Sequence, residues 1–196
     1  MLAMTVRQCF PQAAEQVALV LSDAAPSTLE LRTPCADFSL HALLQHFFGT
    51  TTALARLGRR EPLDADDPYG AQVDWLGEGW QQRLAANVRD VAEAWTSSDA
   101  WEGTVSMGGQ PAPATMIGEM SFAEVLLHGW DVARTTGQQL VVSEEVGQEL
   151  RRGVLETAEM GRSMGAYGAE VHVADDASDF DHALGAAGRD PHWRAA

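Results

Sequence analysis

The sequence contains no lysine, and all 13 of its basic residues are arginine. This absence excludes a phosphate-binding P-loop, whose lysine reaches the phosphates, and any enzyme that forms a Schiff base through a lysine. Isoleucine is nearly absent too, since Ile117 is the only one. Isoleucine, one of the residues that favour strands, therefore contributes almost nothing to this chain.

Cysteine is also scarce, with only Cys9 and Cys35 in the chain. Two cysteines form neither a disulfide framework nor the spacing of a zinc finger. No run approaches the ~18 consecutive apolar residues of a membrane helix. Residues 1–10 lack the charged and apolar regions of a signal peptide. We therefore expect a cytoplasmic protein with reduced thiols and no membrane partner.

Positive charge is in short supply, because 28 acidic residues against 13 basic ones give a formal net charge of −15. Such a charge argues against a nucleic-acid partner and against an anionic membrane surface. With 196 residues, of which 45% are hydrophobic, the chain is long enough to bury a core of its own. We expect a small-molecule substrate, and the sequence leaves a monomer or a homodimer open.

Long helical patterns are what the sequence does contain. Apolar residues recur at helical spacing in five segments, approximately residues 5–22, 39–58, 73–95, 114–136 and 143–164. A short extended piece near residues 104–107 and a short helix near residues 177–187 complete the pattern. The prediction is a mainly all-α four-helix bundle over residues 1–165. Residues 166–196 are then a small extension packed on the bundle, with short strands at most.

The fourth helical segment carries an unusual stripe of ionisable side chains. At about 100° per residue, Glu124, His128 and Asp131 lie on one face of the helix. Apolar residues flank this stripe on both sides, which favours an inward orientation. A buried carboxylate costs several kcal/mol unless a cation or a hydrogen-bond donor compensates it. A divalent metal ion would provide that compensation directly.

His46 is the candidate third ligand, because it lies in an apolar run of the second helical segment that can face Glu124 and His128. Two histidines and one carboxylate leave open positions for water or substrate, as catalytic metal sites do. Asp131 is placed to orient the imidazole of His128 or to meet a substrate. Arg134 can pair with Asp131 or with a substrate carboxylate. Two simpler interpretations stay open, a core role for His46 and a surface pair of Glu124 with His128.

Three motifs of this chain resemble those of the mycothiol-dependent maleylpyruvate isomerase-like proteins, part of the DinB-like superfamily. The opening Thr33-Pro34-Cys35, Phe38-Ser39-Leu40 and Leu43-Leu44-Gln45-His46 is similar to the family's "tPC…W-t-v-x-x-L-L-x-H". The segment from Glu124 to Gln138 resembles "E-x-x-x-H-G-W-D-L-A-R-A-T-G-Q", and the segment from Gly188 to Trp193 resembles "G-R-D-P-x-W". Phe38 departs from the pattern, which has tryptophan there.

The resemblance implies a DinB-like four-helix bundle that binds a divalent metal through His46, Glu124 and His128. Zinc is the metal most often found in the family, and nickel, iron and manganese are the alternatives. The resemblance also implies mycothiol, a low-molecular-weight thiol, as cofactor or co-substrate. Family membership fixes the site better than the substrate.

Three functions follow as hypotheses. In the first, a metal-activated thiol adds to a small electrophile, as in an S-transferase or an isomerase, with Asp131 and Arg134 as catalytic residues. In the second, the same metal serves a hydrolase, lyase or cyclase of specialised metabolism without a thiol. In the third, the bundle binds a small ligand without catalysis, and the ionisable stripe is a buried hydrogen-bonded network.

Overall fold

The computed structural model describes residues 4–64, 66–107 and 109–195 of the chain. Helices dominate these residues, and a two-stranded antiparallel sheet and a short 3₁₀ helix (Ser98–Trp101) accompany them. The remaining elements, in chain order, are α1 (Val6–Ser22), α2 (Leu40–Gly58), α3 (Trp80–Ala94), β1 (Thr104–Met107), β2 (Gln110–Pro113), α4 (Ala114–Thr135), α5 (Glu144–Ser163) and α6 (Asp179–Ala186).

Helices α1 to α4 enclose a single hydrophobic core. Helix α1 packs against α3 and α4, and α2 also packs against α3 and α4. Helix α4 therefore lies beside both α1 and α2. Helix α4 is the most buried element, because only a few of its side chains reach solvent. The expected all-α fold class with short strands is confirmed. Its central helix is the one that carries the ionisable stripe.

The third helix is shorter than the sequence pattern predicts, and it begins at Trp80 instead of Val73. Gly79 has a φ of 70°, a left-handed conformation that interrupts the helix before its first residue. The apolar residues upstream are nevertheless used in packing, since Trp75 stacks on Phe48 with ring centroids 5.2 Å apart. Residues 66–79 thus form a loop that folds back on α2, and the apolar spacing reflects contacts rather than a helix.

The C-terminal residues pack mainly on α5, through α6. Gly188 follows α6 with a φ of 83°, and a Cβ at this position would lie 2.5 Å from the Cα of Gly168. This close approach turns the chain back toward α4 and carries Arg189 into the protein interior, where it is 4% exposed. The division into a bundle of residues 1–165 and an extension of residues 166–196 stays a prediction.

The described helices include none that is both long enough and apolar enough to cross a membrane.

Gly129 allows α1 to approach α4 closely. A Cβ added to Gly129 would lie 2.6 Å from both methyl groups of Val17 on α1. Valine is stiff in a helix, so the contact can be relieved only by moving α1. Gly153 on α5 offers the opposite case, because a Cβ there meets nothing within 4 Å.

We predict opposite effects of the same substitution at these two glycines. Gly129→Ala should lower the free energy of unfolding by about 1–2 kcal/mol, because overpacking outweighs the gain in helix propensity. Gly153→Ala should raise it by about 0.5–1 kcal/mol, because only the propensity gain remains. Urea denaturation of both variants checks this, and equal effects would contradict the packing of α1 on α4.

Candidate metal centre

Two helices bring the three predicted ligands together. His46 is on α2, and Glu124 and His128 are one turn apart on α4. The Nε2 atom of His46 lies 3.1 Å from Oε1 of Glu124, and Nε2 of His128 lies 3.6 Å from the same oxygen. Ligand atoms of all three residues lie within 4.8 Å of one another. The structure therefore assembles the two histidines and one carboxylate that the sequence analysis grouped.

The central oxygen of this cluster has no hydrogen-bond partner. Oε1 of Glu124 is the one buried side-chain oxygen or nitrogen among the described residues that lacks one. His46 approaches it to 3.1 Å, but without the geometry of a hydrogen bond. An ionised carboxylate oxygen left in this state is destabilising, so the arrangement calls for a cation or a proton at this point.

The second ring nitrogen of each imidazole, Nδ1, already has a polar partner. Nδ1 of His128 lies 2.9 Å from Oδ2 of Asp131, and Nδ1 of His46 lies 3.4 Å from the hydroxyl of Thr50. An ionised carboxylate only accepts hydrogen bonds, so Nδ1 of His128 is the donor in this contact. Nε2 of His128 then lies on the side of the ring that faces Oε1 of Glu124. Hydrogen bonds of this kind to the other ring nitrogen are what orients metal-ligating histidines.

The distances fit a first-row divalent metal. With ligand bonds of about 2.0–2.2 Å, neighbouring ligand atoms of a tetrahedral or octahedral site are about 2.8–3.6 Å apart. The separations of Oε1 of Glu124 from the two Nε2 atoms, 3.1 and 3.6 Å, fall in this range. The donor set of His46, Glu124 and His128 therefore fits a metal in its chemistry and in the two separations that Glu124 makes. It does not distinguish zinc from nickel, iron or manganese.

Asp131 links His128 to the C-terminal segment. Its side chain has no solvent exposure, and Nη2 of Arg189 donates to its Oδ2 at 2.9 Å. Nε of Arg189 donates to Oδ1 at 3.1 Å, and Nη1 donates to the carbonyl of Ala187 at 3.2 Å. Each of the three guanidinium nitrogens thus donates a hydrogen bond. The resulting chain of contacts, Arg189 to Asp131 to His128, holds the imidazole in one orientation.

Charges within the cluster shift the pKa values of its members. Burial acts to raise the pKa of Glu124, but the nearby imidazoles of His128 and His46 outweigh it and hold the pKa below its usual value. Burial also acts to raise the pKa of Asp131, and Arg189 and His128 reverse the shift. For His46, burial acts to lower the pKa, and contact with the Glu124 carboxylate raises it overall. Both carboxylates are therefore ionised at neutral pH.

The opening motif shapes the rim of the cluster. The buried hydroxyl of Thr33 shares its one proton between the carbonyls of Cys35 and Phe38, at 2.8 and 2.9 Å, and so fixes the turn before α2. This turn stacks Phe38 on the ring of His46, with centroids 5.2 Å apart. Phe38 thus contacts a candidate ligand, and its role goes beyond packing. Burial raises the pKa of the Cys35 thiol to about 11, so this thiol is protonated at neutral pH.

Arg134 lies away from the cluster. Its Nε and Nη2 donate to the carbonyl of Trp193 at 3.1 and 2.5 Å, and its guanidinium lies over the ring of Trp130. The pairing with Asp131 that the sequence suggested for Arg134 is made by Arg189 instead. The catalytic role assigned to Arg134 stays a prediction without a contact to support it.

Sequence reasoning missed Arg189. The residue lies in the Gly188-Arg189-Asp190-Pro191 motif, which was used only for its resemblance. One signal could have identified it, because a carboxylate on the buried stripe needs a cation and arginine is the only strong cation in this chain. Sequence spacing alone gave no reason to bring residue 189 to residue 131.

We predict that Arg189 stabilises the fold through this buried pair. Arg189→Ala leaves Asp131 buried without its cation and should lower the free energy of unfolding by about 3–5 kcal/mol. Arg89→Ala is the control, because Arg89 pairs with Glu15 at the surface, and such pairs contribute about 0–1 kcal/mol. Urea denaturation gives both values, and similar losses for the two variants would contradict the anchoring role of Arg189.

Comparison with known proteins supports the resemblance. A sequence model of the mycothiol maleylpyruvate isomerase N-terminal domain matches residues 10–133. No curated protein and no solved structure matches the chain. The matched segment contains His46, Glu124, His128 and Asp131, and it ends before Arg189. The chain belongs to the family of the mycothiol maleylpyruvate isomerase N-terminal domain.

Proposed function

We propose that this protein is a divalent-metal enzyme in which a metal-activated thiol, mycothiol or a relative of it, adds to a small electrophilic substrate. His46, Glu124 and His128 are the proposed metal ligands. One observation carries the proposal, the buried Oε1 of Glu124 that faces two imidazole nitrogens and has no hydrogen-bond partner among the described residues. Membership of a mycothiol-associated family supports the choice of thiol.

A bound divalent metal lowers the pKa of a coordinated thiol, so that thiolate is available at neutral pH. The residues of this chain supply its position. Asp131 fixes the ring of His128 and is itself fixed by Arg189. Because Asp131 is fully buried between these two partners, we assign it a positioning role rather than contact with substrate. Phe38 covers one face of His46 and keeps water from that side.

The proposed addition balances without a further reactant. The sulfur bonds to one carbon of a polarised double bond, and the thiol proton ends on the neighbouring carbon. Reversal of this step after rotation about the former double bond gives an isomerase, and loss of a leaving group together with the proton gives an S-transferase. The side chain of His46 is 38% exposed. A bulky thiol therefore has a path to the cluster from the solvent side.

A second function deserves a test, a metal-dependent hydrolase, lyase or cyclase that uses no thiol. The cavity beside Glu124 and His128 favours it, because its volume of about 190 Å³ is below the roughly 300–1,000 Å³ of typical ligand sites. Mycothiol, which is a pseudodisaccharide thiol, does not fit inside this volume. A bundle that binds a small ligand without metal is the third candidate. We also propose zinc as the resident metal and a cytoplasmic location. Arg134 is proposed as a positioning residue that holds the C-terminal segment through the carbonyl of Trp193, because it does not line the cavity beside the cluster.

We predict that the purified protein binds about one divalent metal ion per chain and that His46→Ala loses it. His41→Ala is the matched control, because His41 is an exposed histidine on the same helix. Elemental analysis of the three proteins, with unfolding curves to show that each is folded, provides the measurement. Unchanged metal content in folded His46→Ala protein would remove His46 from the site. Metal-free wild-type protein with an unchanged melting temperature in chelator would favour the third candidate.

We also predict direct coordination of the thiol. Protein loaded with Co²⁺ should gain a sulfur-to-cobalt charge-transfer absorption when mycothiol is added, because the three protein ligands leave a position open. The serine analogue of mycothiol, which lacks the sulfur, is the control and should produce no such band. A cobalt-loaded protein that shows no band with either compound would favour the thiol-independent function.

A further inference from the structure

Methionine is concentrated beside the metal centre. The chain has seven methionines, and five of them line the cavity that Glu124 and His128 also line. These five are Met107, Met116, Met120, Met160 and Met164. They come from three elements, the end of β1, one face of α4, and α5 with the residue that follows it. The concentration is thus a product of the fold and not of one methionine-rich segment.

Helical spacing explains why the methionines and the ligands share this cavity. Met116 and Met120 precede Glu124 at intervals of four residues, so the three side chains form one row on α4. Met160 on α5 and Met164 directly after α5 line the same cavity. The cavity is therefore lined by methionines from both helices and by two of the candidate ligands, Glu124 and His128.

Few polar groups line this cavity. Among the described residues, its ionisable lining consists of Arg189, whose guanidinium pairs with Asp131, and the candidate ligands Glu124 and His128. Thr157 and Tyr167 add two hydroxyl groups, and the other lining residues are apolar or glycine. A charged or strongly hydroxylated body would lose more hydration here than these few partners replace, which costs several kcal/mol.

We propose that the methionine-lined cavity binds the apolar body of the substrate, a single ring or a short branched alkyl chain, and holds its reactive group toward the metal centre. This proposal rests on the proposed function for the role of the reactive end. A cavity of about 150 Å³ with apolar walls accommodates benzene, so the volume of about 190 Å³ suits one six-membered ring. Unbranched, polarisable methionine side chains adapt to rings of different outline.

The alternative occupant is the sugar-like body of the thiol. Two neutral probes with the same six-membered carbon ring separate the occupants, cyclohexanol for the apolar body and inositol for the hydroxylated one. Protein labelled with ¹³C at the methionine methyl groups reports binding at each residue. Met4 is the internal reference, because it does not line this cavity.

We expect cyclohexanol to shift the methyl resonances of the five cavity methionines and to leave that of Met4 unchanged. Inositol should shift none of them. Met120→Gln should weaken cyclohexanol binding about tenfold because it places an amide in the apolar wall. Met4→Gln should have no effect. Met160→Gln provides a second test at a position that is 43% exposed, where the substitution does not threaten folding.

Two results would overturn the proposal: inositol binding as tight as that of cyclohexanol, or cyclohexanol shifts that do not follow the cavity methionines. The titrations are run on metal-loaded and on chelator-treated protein. A protein that binds cyclohexanol but takes up no divalent metal would support the cavity proposal and contradict the proposed function. A protein that takes up the metal but does not bind cyclohexanol would contradict the cavity proposal and leave the proposed function standing.

Discussion

The ion pair between Asp131 and Arg189 is the interaction on which the site depends. The pair is buried, and it joins the central helix α4 to the C-terminal segment. The carboxylate of Asp131 also accepts a hydrogen bond from Nδ1 of His128. A buried charge of this kind is costly to leave unpaired, so the protein has little freedom to rearrange around it. The position of His128, and with it the geometry of the candidate metal centre, follows from this constraint.

The bundle and the grouping of the three candidate ligands could be predicted from the sequence, because both depend on local periodicity. Ser39 and Ser143 cap α2 and α5 by accepting hydrogen bonds from the backbone N–H groups of Ala42 and Val146. The grouping of Glu124 with His128 follows from one helical turn. Placing His46 opposite them required only that two apolar helices pack, which is the ordinary way in which a bundle buries its residues.

Features that depend on contacts distant in sequence could not be predicted. Helix α3 begins at Trp80 and not at Val73, because the left-handed Gly79 interrupts the apolar pattern that predicted a longer helix. Arg189 reaches Asp131 across 58 residues, and the turn at Gly188 that allows this has no local signature of its destination. The methionine wall was missed for the same reason, because its members come from separate elements and meet only in the folded chain.

The distance along the chain between Asp131 and Arg189 also orders the assembly of the protein during synthesis. At about 5–20 residues per second, the ribosome needs about 3–12 s to add the 58 residues that separate them. Over this interval the carboxylate of Asp131 lacks a cationic partner that has not yet been translated. The buried ion pair, which holds the carboxylate that orients His128, therefore forms only after Arg189 has been added to the chain.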